Sequence, residues 1–105
     1  MSEVNLRVQI QCLQPSWIEH ERSSYRLYVN DDLLTERTWI WNFNTVIEEE
    51  LLVNVTTHES HQIRLETLLD DPRSMTQFGL RNFFVNGWPK PDHGGHRTQL
   101  SFMIE

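Results

Sequence analysis

The sequence predicts an all-β fold: a single antiparallel β-sandwich of about seven strands, with jelly-roll or immunoglobulin-like topology. Three observations support this prediction. The 105-residue chain contains no alanine, the strongest helix former, and is rich in the β-branched and aromatic residues that suit strands. Apolar and polar residues alternate in several short runs. Turn-forming residues separate these runs at intervals of about ten residues. Because a chain of this length fits one domain, we assign residues 1–105 to a single domain.

The first half of the chain contains four predicted strands. Residues 25–29 and 34–41 are predicted to form a hairpin around a turn at residues 30–32, and residues 45–55 form another strand. In that last strand, Glu49 falls on the apolar side, so we expect it near a strand end or at a bulge. The N-terminal run alternates most strictly, and its predicted inward residues are Val4, Leu6, Val8, Ile10 and Cys12.

The second half continues the pattern with shorter signals. A strand is predicted around Ile63 and Leu65, and residues 78–85 are apolar enough for a central strand that ends at the turn Asn86-Gly87. Residues 88–97 contain two prolines and two glycines and are predicted to be a loop. The alternating residues 100–104 are predicted to close the domain as its last strand.

Charge and composition exclude several partners and compartments. The formal net charge is −6 and the nine basic residues are scattered, so neither nucleic acid nor an anionic membrane is an expected partner. Eight of these nine are arginine, which is weakly typical of interfaces, although drift in codon usage or in the lineage explains the arginine bias equally well. The single cysteine excludes an internal disulfide, and no signal peptide or transmembrane run is evident, so we expect an intracellular protein.

No motif for catalysis is evident. The chain lacks a Gly-x-Ser-x-Gly motif and a glycine-rich loop between a strand and a helix, and Cys12 falls in the middle of a predicted strand. We therefore predict that the protein is not an enzyme and that it needs no cofactor.

The strongest candidate metal site is the segment 91–96. Asp92, His93 and His96 could bind zinc or another divalent metal, with His58 or His61 as a further ligand. A polar, glycine-rich turn without metal explains the same residues, and we favour that explanation. Calcium would require two loops to converge, and the aspartates available in predicted turns are Asp31, Asp32, Asp70 and Asp71.

A candidate binding platform comes from the tryptophans. Trp39 and Trp41 project from one face of a strand, with Arg37 in line. If that face is exposed, these three residues form a contact surface, and if it is not, the tryptophan pair belongs to the core. The core alternative is the more common one for aromatic pairs in a small sandwich. Trp88, next to the glycine-rich segment, is expected to be partly exposed.

Two segments, YRLYVNDDLLTERTW (residues 25–39) and FGLRNFFVNG (residues 78–87), carry a resemblance to known proteins. They resemble small proteins encoded by T4-like cyanobacterial phages, over most of the chain. The pattern of a strand, Val-Asn, a turn and then Asn-Phe-x-Val-Asn-Gly is also similar to calcium-dependent xylan-binding sandwich modules. That second likeness concerns the fold, and the calcium-ligand motif of those modules is not matched here.

The first resemblance implies an accessory component of a phage particle, in a capsid decoration or in the tail or baseplate, which acts through protein–protein contacts. The alternatives are a carbohydrate-binding module that uses exposed tryptophans, and an intracellular phage protein that binds a host factor. The expected partners are therefore virion or host proteins, a second copy of the chain, or a polysaccharide. The expected location is the virion or the host cytoplasm.

Overall fold

The computed structural model describes residues 1–14, 22–39, 45–90 and 97–105. In these residues the chain forms eight strands in two antiparallel four-stranded sheets, which confirms the predicted β-sandwich and adds one strand to the expected seven. The strands are β1 (Ser2–Gln14), β2 (Ser24–Val29), β3 (Asp32–Thr38), β4 (Val46–Val55), β5 (Ser60–Leu68), β6 (Gln77–Val85), β7 (Trp88–Pro89) and β8 (Gln99–Met103). The first sheet has the order β4-β1-β6-β7 and the second has the order β3-β2-β5-β8.

The core lies between the two sheets and follows from the alternation along each strand. The five inward residues predicted for β1 are all buried, Cys12 included, and the inward residues of β2 and β5 meet them from the second sheet. Aromatic rings join the sheets, since Tyr25 of β2 packs edge-on against Phe78 of β6 with ring centroids 5.8 Å apart. Burying these side chains is the main favourable term in folding a chain of this size.

The additional strand corrects one prediction. Trp88 and Pro89 were expected in a loop, but they pair with Val85 and Phe84 of β6. Asn86 and Gly87 have φ values of 50° and 82°. Two successive positive φ angles make a tight hairpin turn whose twist matches that of its strands, so the chain returns along β6.

The two sides of the sandwich are closed differently. Near β8, the amide of Leu80 in β6 donates to the carbonyl of Arg97, and the amide of Leu65 in β5 donates to the carbonyl of Thr98, both at 2.7 Å. Arg97 thus accepts a hydrogen bond from the first sheet and Thr98 accepts one from the second sheet. These backbone hydrogen bonds close that side of the sandwich. The opposite side, which we call the open side, consists of β3 and β4. Among the described residues, no strand pairs with the outer edge of either one.

Strand β3 is solvent-exposed along nearly its whole length. Its ladder with β2 shifts register between Leu27 and Tyr28, which leaves Leu34 as an extra residue in a bulge. No helix long and apolar enough to span a membrane occurs in the part of the chain that the structure describes.

Candidate functional site

Trp39 belongs to the core and not to an exposed platform. It follows β3 directly, its amide donates to the carbonyl of Ser23 at 2.8 Å, and the residue is only 8% exposed. The indole lies 5.0 Å from the ring of Phe78 and 6.4 Å from the ring of Tyr25, measured between centroids. Of the two alternatives for the tryptophan pair, the structure therefore supports the core for Trp39. Trp41 lies outside the described residues.

Arg37 lies two residues before Trp39, so both side chains are on the inward face of the strand, at the edge of the second sheet. It pairs in register with Tyr25 of β2, and its guanidinium spans the open side to form an ion pair with Glu49 of β4. Arg37 is thus engaged with a neighbouring strand and is not part of an aromatic contact surface, which corrects the second element of the predicted platform.

Glu49 is the centre of a polar network between the sheets. It is the fourth residue of β4 and lies opposite Val8 of β1 in a ladder with continuous register, so it is not in a bulge of that ladder, although β1 and β6 shift register at Val8. The side chain of Glu49 is 5% exposed, and its Oε1 accepts hydrogen bonds from the hydroxyl of Tyr25, at 2.5 Å, and from Nε of Arg37. A carboxylate can face the core here because both partners satisfy it.

Burial and charge act together on the two partners of Glu49. Burial is the main cause that raises the pKa of the Tyr25 hydroxyl above its ordinary value, and the hydrogen bond to the Glu49 carboxylate adds to it. The same carboxylate, chiefly through its hydrogen bond, raises the pKa of Arg37. Both groups therefore keep their protons at neutral pH, and the network links one edge strand of each sheet.

Trp88 is exposed as expected, with 76% of its surface accessible to solvent. It lies in β7, at the opposite edge of the first sheet from β4 and roughly 14 Å away, or three strand spacings. Arg37, Trp39 and Trp88 therefore do not form one surface. Of these three predicted platform residues, Trp88 alone presents an indole to solvent.

The open side contains a groove of about 200 Å³ between β3 and β4, close to the β2–β3 turn. Val29, Val53 and Val55, which are otherwise buried in the core, line it together with Leu34 from the bulge. Apolar side chains extend onto the surface around it, since Leu52 is 66% exposed. Asn30, Asp32 and Asn54 supply the polar part of the lining.

The open side is also strongly acidic. Its two strands carry one cation, Arg37, and five carboxylates: Asp32, Glu36, Glu48, Glu49 and Glu50. Some of this charge is offset by neighbours, since Arg7 lies 3.5 Å from Glu48 and Arg26 lies 3.5 Å from Glu36. The excess of negative charge attracts cations and repels anions that approach this side.

The candidate metal ligands are not assembled into a site in the described part of the chain. Asp92, His93 and His96 lie outside the described residues, and the described residues contain no group of three or more metal-binding side chains. His61 is buried, with Nε2 2.7 Å from the Thr56 carbonyl oxygen and Nδ1 3.2 Å from the side-chain nitrogen of Asn30. Neither of its ring nitrogens can bind a metal without the loss of one of these contacts.

The turn aspartates do not converge on a calcium site. Asp31 and Asp32 follow the end of β2 that pairs with Ile63, whereas Asp70 and Asp71 follow the end of β5 that pairs with Ser24. The two pairs therefore lie at opposite ends of the sandwich. Asp71 instead accepts a hydrogen bond from the amide of Arg73 at 2.9 Å, which is ordinary turn chemistry.

Two features of the open side were missed by the sequence analysis. The Tyr25–Arg37–Glu49 network has a signal in the sequence, because Glu49 breaks an otherwise regular alternation, but the alternation does not identify its partners. Leu52 has the converse signal, since it is a large apolar residue on the polar side of the same strand. The groove depends on which edge strands are stacked, and no local pattern contains that information.

Comparisons with models of protein families, with curated proteins and with solved structures found no match to this chain.

Proposed function

We propose that this chain is a non-enzymatic binding and assembly module that acts through protein–protein contacts, as an accessory component of a phage particle. The observation that carries the proposal is the open side, where two edge strands expose apolar side chains beside a groove that reaches core residues. The resemblance to phage proteins supplies the setting, a capsid decoration or a part of the tail or baseplate.

Exposed leucines on edge strands support a docking role. Edge strands are usually protected against association, and clustered exposed apolar side chains are typical of interaction sites. On the open side, Leu33, Leu34, Val46 and Leu52 are all exposed. Arg37 and Glu49 supply a structural reason for this side to be stable without a further strand, because they hold β3 and β4 together. The surface is therefore available to a partner in the folded monomer.

The first test is to measure the amount of the chain in purified particles of the phage that encodes it. We expect quantitative mass spectrometry to find it at a fixed ratio to the major capsid protein, and added recombinant chain to co-sediment with particles that lack it. The variant Ser101→Ala, on β8, is a control for intact folding and binding. Absence from particles together with failure to co-sediment would contradict the particle role and would favour a host protein in the cytoplasm as the partner.

A carbohydrate-binding module is a second candidate, because Trp88 is exposed at a sheet edge and an indole can stack on a sugar ring. Tryptophan fluorescence should then change on titration with a panel of polysaccharides, with and without calcium, and the Trp88→Ala variant should lose the change. A flat response of the wild type across the panel would remove this candidate.

A further inference from the structure

We propose that the open side binds an extended, basic segment of another protein, which adds as a strand to the outer edge of β4 and places an apolar side chain in the groove. This inference rests on the proposed protein-binding function and specifies its site and the chemistry of its partner.

The backbone of β4 is the most suitable edge in the described structure. Its ten residues pair with β1 in continuous register from Val46–Gln11 to Val55–Ser2, without a bulge, proline or glycine. The other edges suit strand addition less well. β3 has a bulge, β7 has two residues including Pro89, and β8 has five residues. Half of the amides and carbonyls of β4 face away from β1, as an added strand requires.

The negative charges on β4 indicate which kind of segment would bind there. Glu48 and Glu50 lie on its outward face, two residues apart, and Leu52 continues the same row. An added strand places every second side chain beside this row, so lysine or arginine there would face the two glutamates. Pairing with β3 or β4 of a second copy would bring carboxylates toward carboxylates, in a chain whose net charge is already −6. The charge pattern therefore favours a basic partner and opposes self-association.

The groove accepts the other face of the added strand. Side chains that alternate with the basic ones point inward, toward the gap between β4 and β3. There Leu34, Val53 and Val55 supply the apolar part of a lining that also contains Asn30, Asp32 and Asn54. A valine-sized or leucine-sized side chain fits a groove of about 200 Å³ and would cover core residues that now line it. The expected segment thus alternates basic and apolar residues.

A defined peptide can test the inference without knowledge of the natural partner. The probe is a ten-residue peptide of alternating lysine and valine, and the charge-matched control alternates lysine and proline, which cannot pair as a strand. We expect the lysine–valine peptide to slow hydrogen exchange at the outward amides of β4, as resolved by NMR. The lysine–proline peptide should leave those amides unprotected, because electrostatic attraction alone forms no backbone hydrogen bonds.

A charge reversal tests the selectivity. The double variant Glu48→Lys/Glu50→Lys should bind the lysine–valine peptide about tenfold more weakly and should gain affinity for an alternating glutamate–valine peptide. Asp70→Lys/Glu105→Lys changes the net charge equally, at positions outside β3, β4 and the loop that follows β4, and should retain the original preference. Both pairs are exposed, so both variants should fold.

Three results would overturn the inference: equal protection by both lysine peptides, protection at β8 instead of β4, or an unchanged preference after charge reversal. Protection of β4 that rises with protein concentration, without peptide, would instead identify a second copy as the occupant. If the peptides fail but the chain still co-sediments with particles, the binding role stands and this partner chemistry is wrong.

Discussion

Glu49 is the residue whose setting differs most from that of its neighbours along β4. A carboxylate in the apolar row of an edge strand is costly unless its charge is compensated, and here Tyr25 and Arg37 both donate hydrogen bonds to its Oε1. The network also ties β3 and β4 to each other. Its integrity is therefore expected to determine how well β3 and β4 stay in place.

Loss of Arg37 should destabilise the fold more than loss of a surface arginine. We expect Arg37→Met to lower the free energy of unfolding by about 1–3 kcal/mol, because it leaves the buried Glu49 carboxylate without its cation. Arg73→Met, which breaks the surface pair with Asp71, should change it much less. Urea denaturation of both variants measures the difference, and equal losses would show that the network contributes no more than a surface pair.

The Tyr25 hydroxyl should make stability sensitive to alkaline pH. Its pKa is raised in the folded state above the ordinary 10.0, so the unfolded chain releases this proton first as the pH rises. The contribution of the protonated Tyr25 hydroxyl to the free energy of unfolding is complete below pH 10. It is lost above that pH, at up to about 1.4 kcal/mol per pH unit. Tyr25→Phe should be less stable at neutral pH and should show a shallower decline between pH 10 and 11. Identical slopes for both proteins would contradict the raised pKa.

Truncation to alanine should destabilise the fold strongly at Trp39 and hardly at all at Trp88. Trp39→Ala removes a core side chain and should cost about 3–5 kcal/mol, whereas Trp88→Ala should change stability by about 0.5 kcal/mol or less. Thermal unfolding monitored by circular dichroism compares them. A large loss for Trp88→Ala would mean that this indole packs against the chain and is not available to a ligand.

At the scale of strands and turns, the hairpin between β6 and β7 depends on backbone conformation. Gly87 has a φ of 82°, and a Cβ placed there would meet no atom within 4 Å. The cost of Gly87→Ala is therefore conformational only, and we expect about 1–2 kcal/mol. Chemical denaturation measures it, with Ser101→Ala as the control in β8. An unchanged midpoint would show that the turn does not need a left-handed residue.

The sequence predicted the strands better than their partners. Strict alternation in β1 identified all five of its inward residues, because a half-buried strand repeats every two residues. Strand β7 was missed although the turn Asn86-Gly87 was predicted, since two residues with a proline carry no periodicity. For the same reason Arg37 and Glu49 could not be matched: they are twelve residues apart and meet only because β3 and β4 are stacked edge strands.

At the scale of the whole molecule, backbone hydrogen bonds close one side of the sandwich, whereas a side-chain network bridges the other side, the open side. The closed side binds both sheets through Arg97 and Thr98, whereas the open side exposes apolar side chains and negative charge around a groove. Binding of a partner at the open side would complete the sandwich where the described residues leave it incomplete. This asymmetry is the physical basis for the proposed assembly role.

The most direct test of that role compares substitutions on the two sides in one co-sedimentation assay with phage particles. Leu52→Glu alters the open side and Trp88→Ser alters the opposite edge of the same sheet, and both replace exposed side chains, so both variants should fold. We expect Leu52→Glu to abolish co-sedimentation and Trp88→Ser to bind like the wild type. Retention by Leu52→Glu with loss by Trp88→Ser would contradict a binding role of the open side and would move the binding surface to the β7 edge.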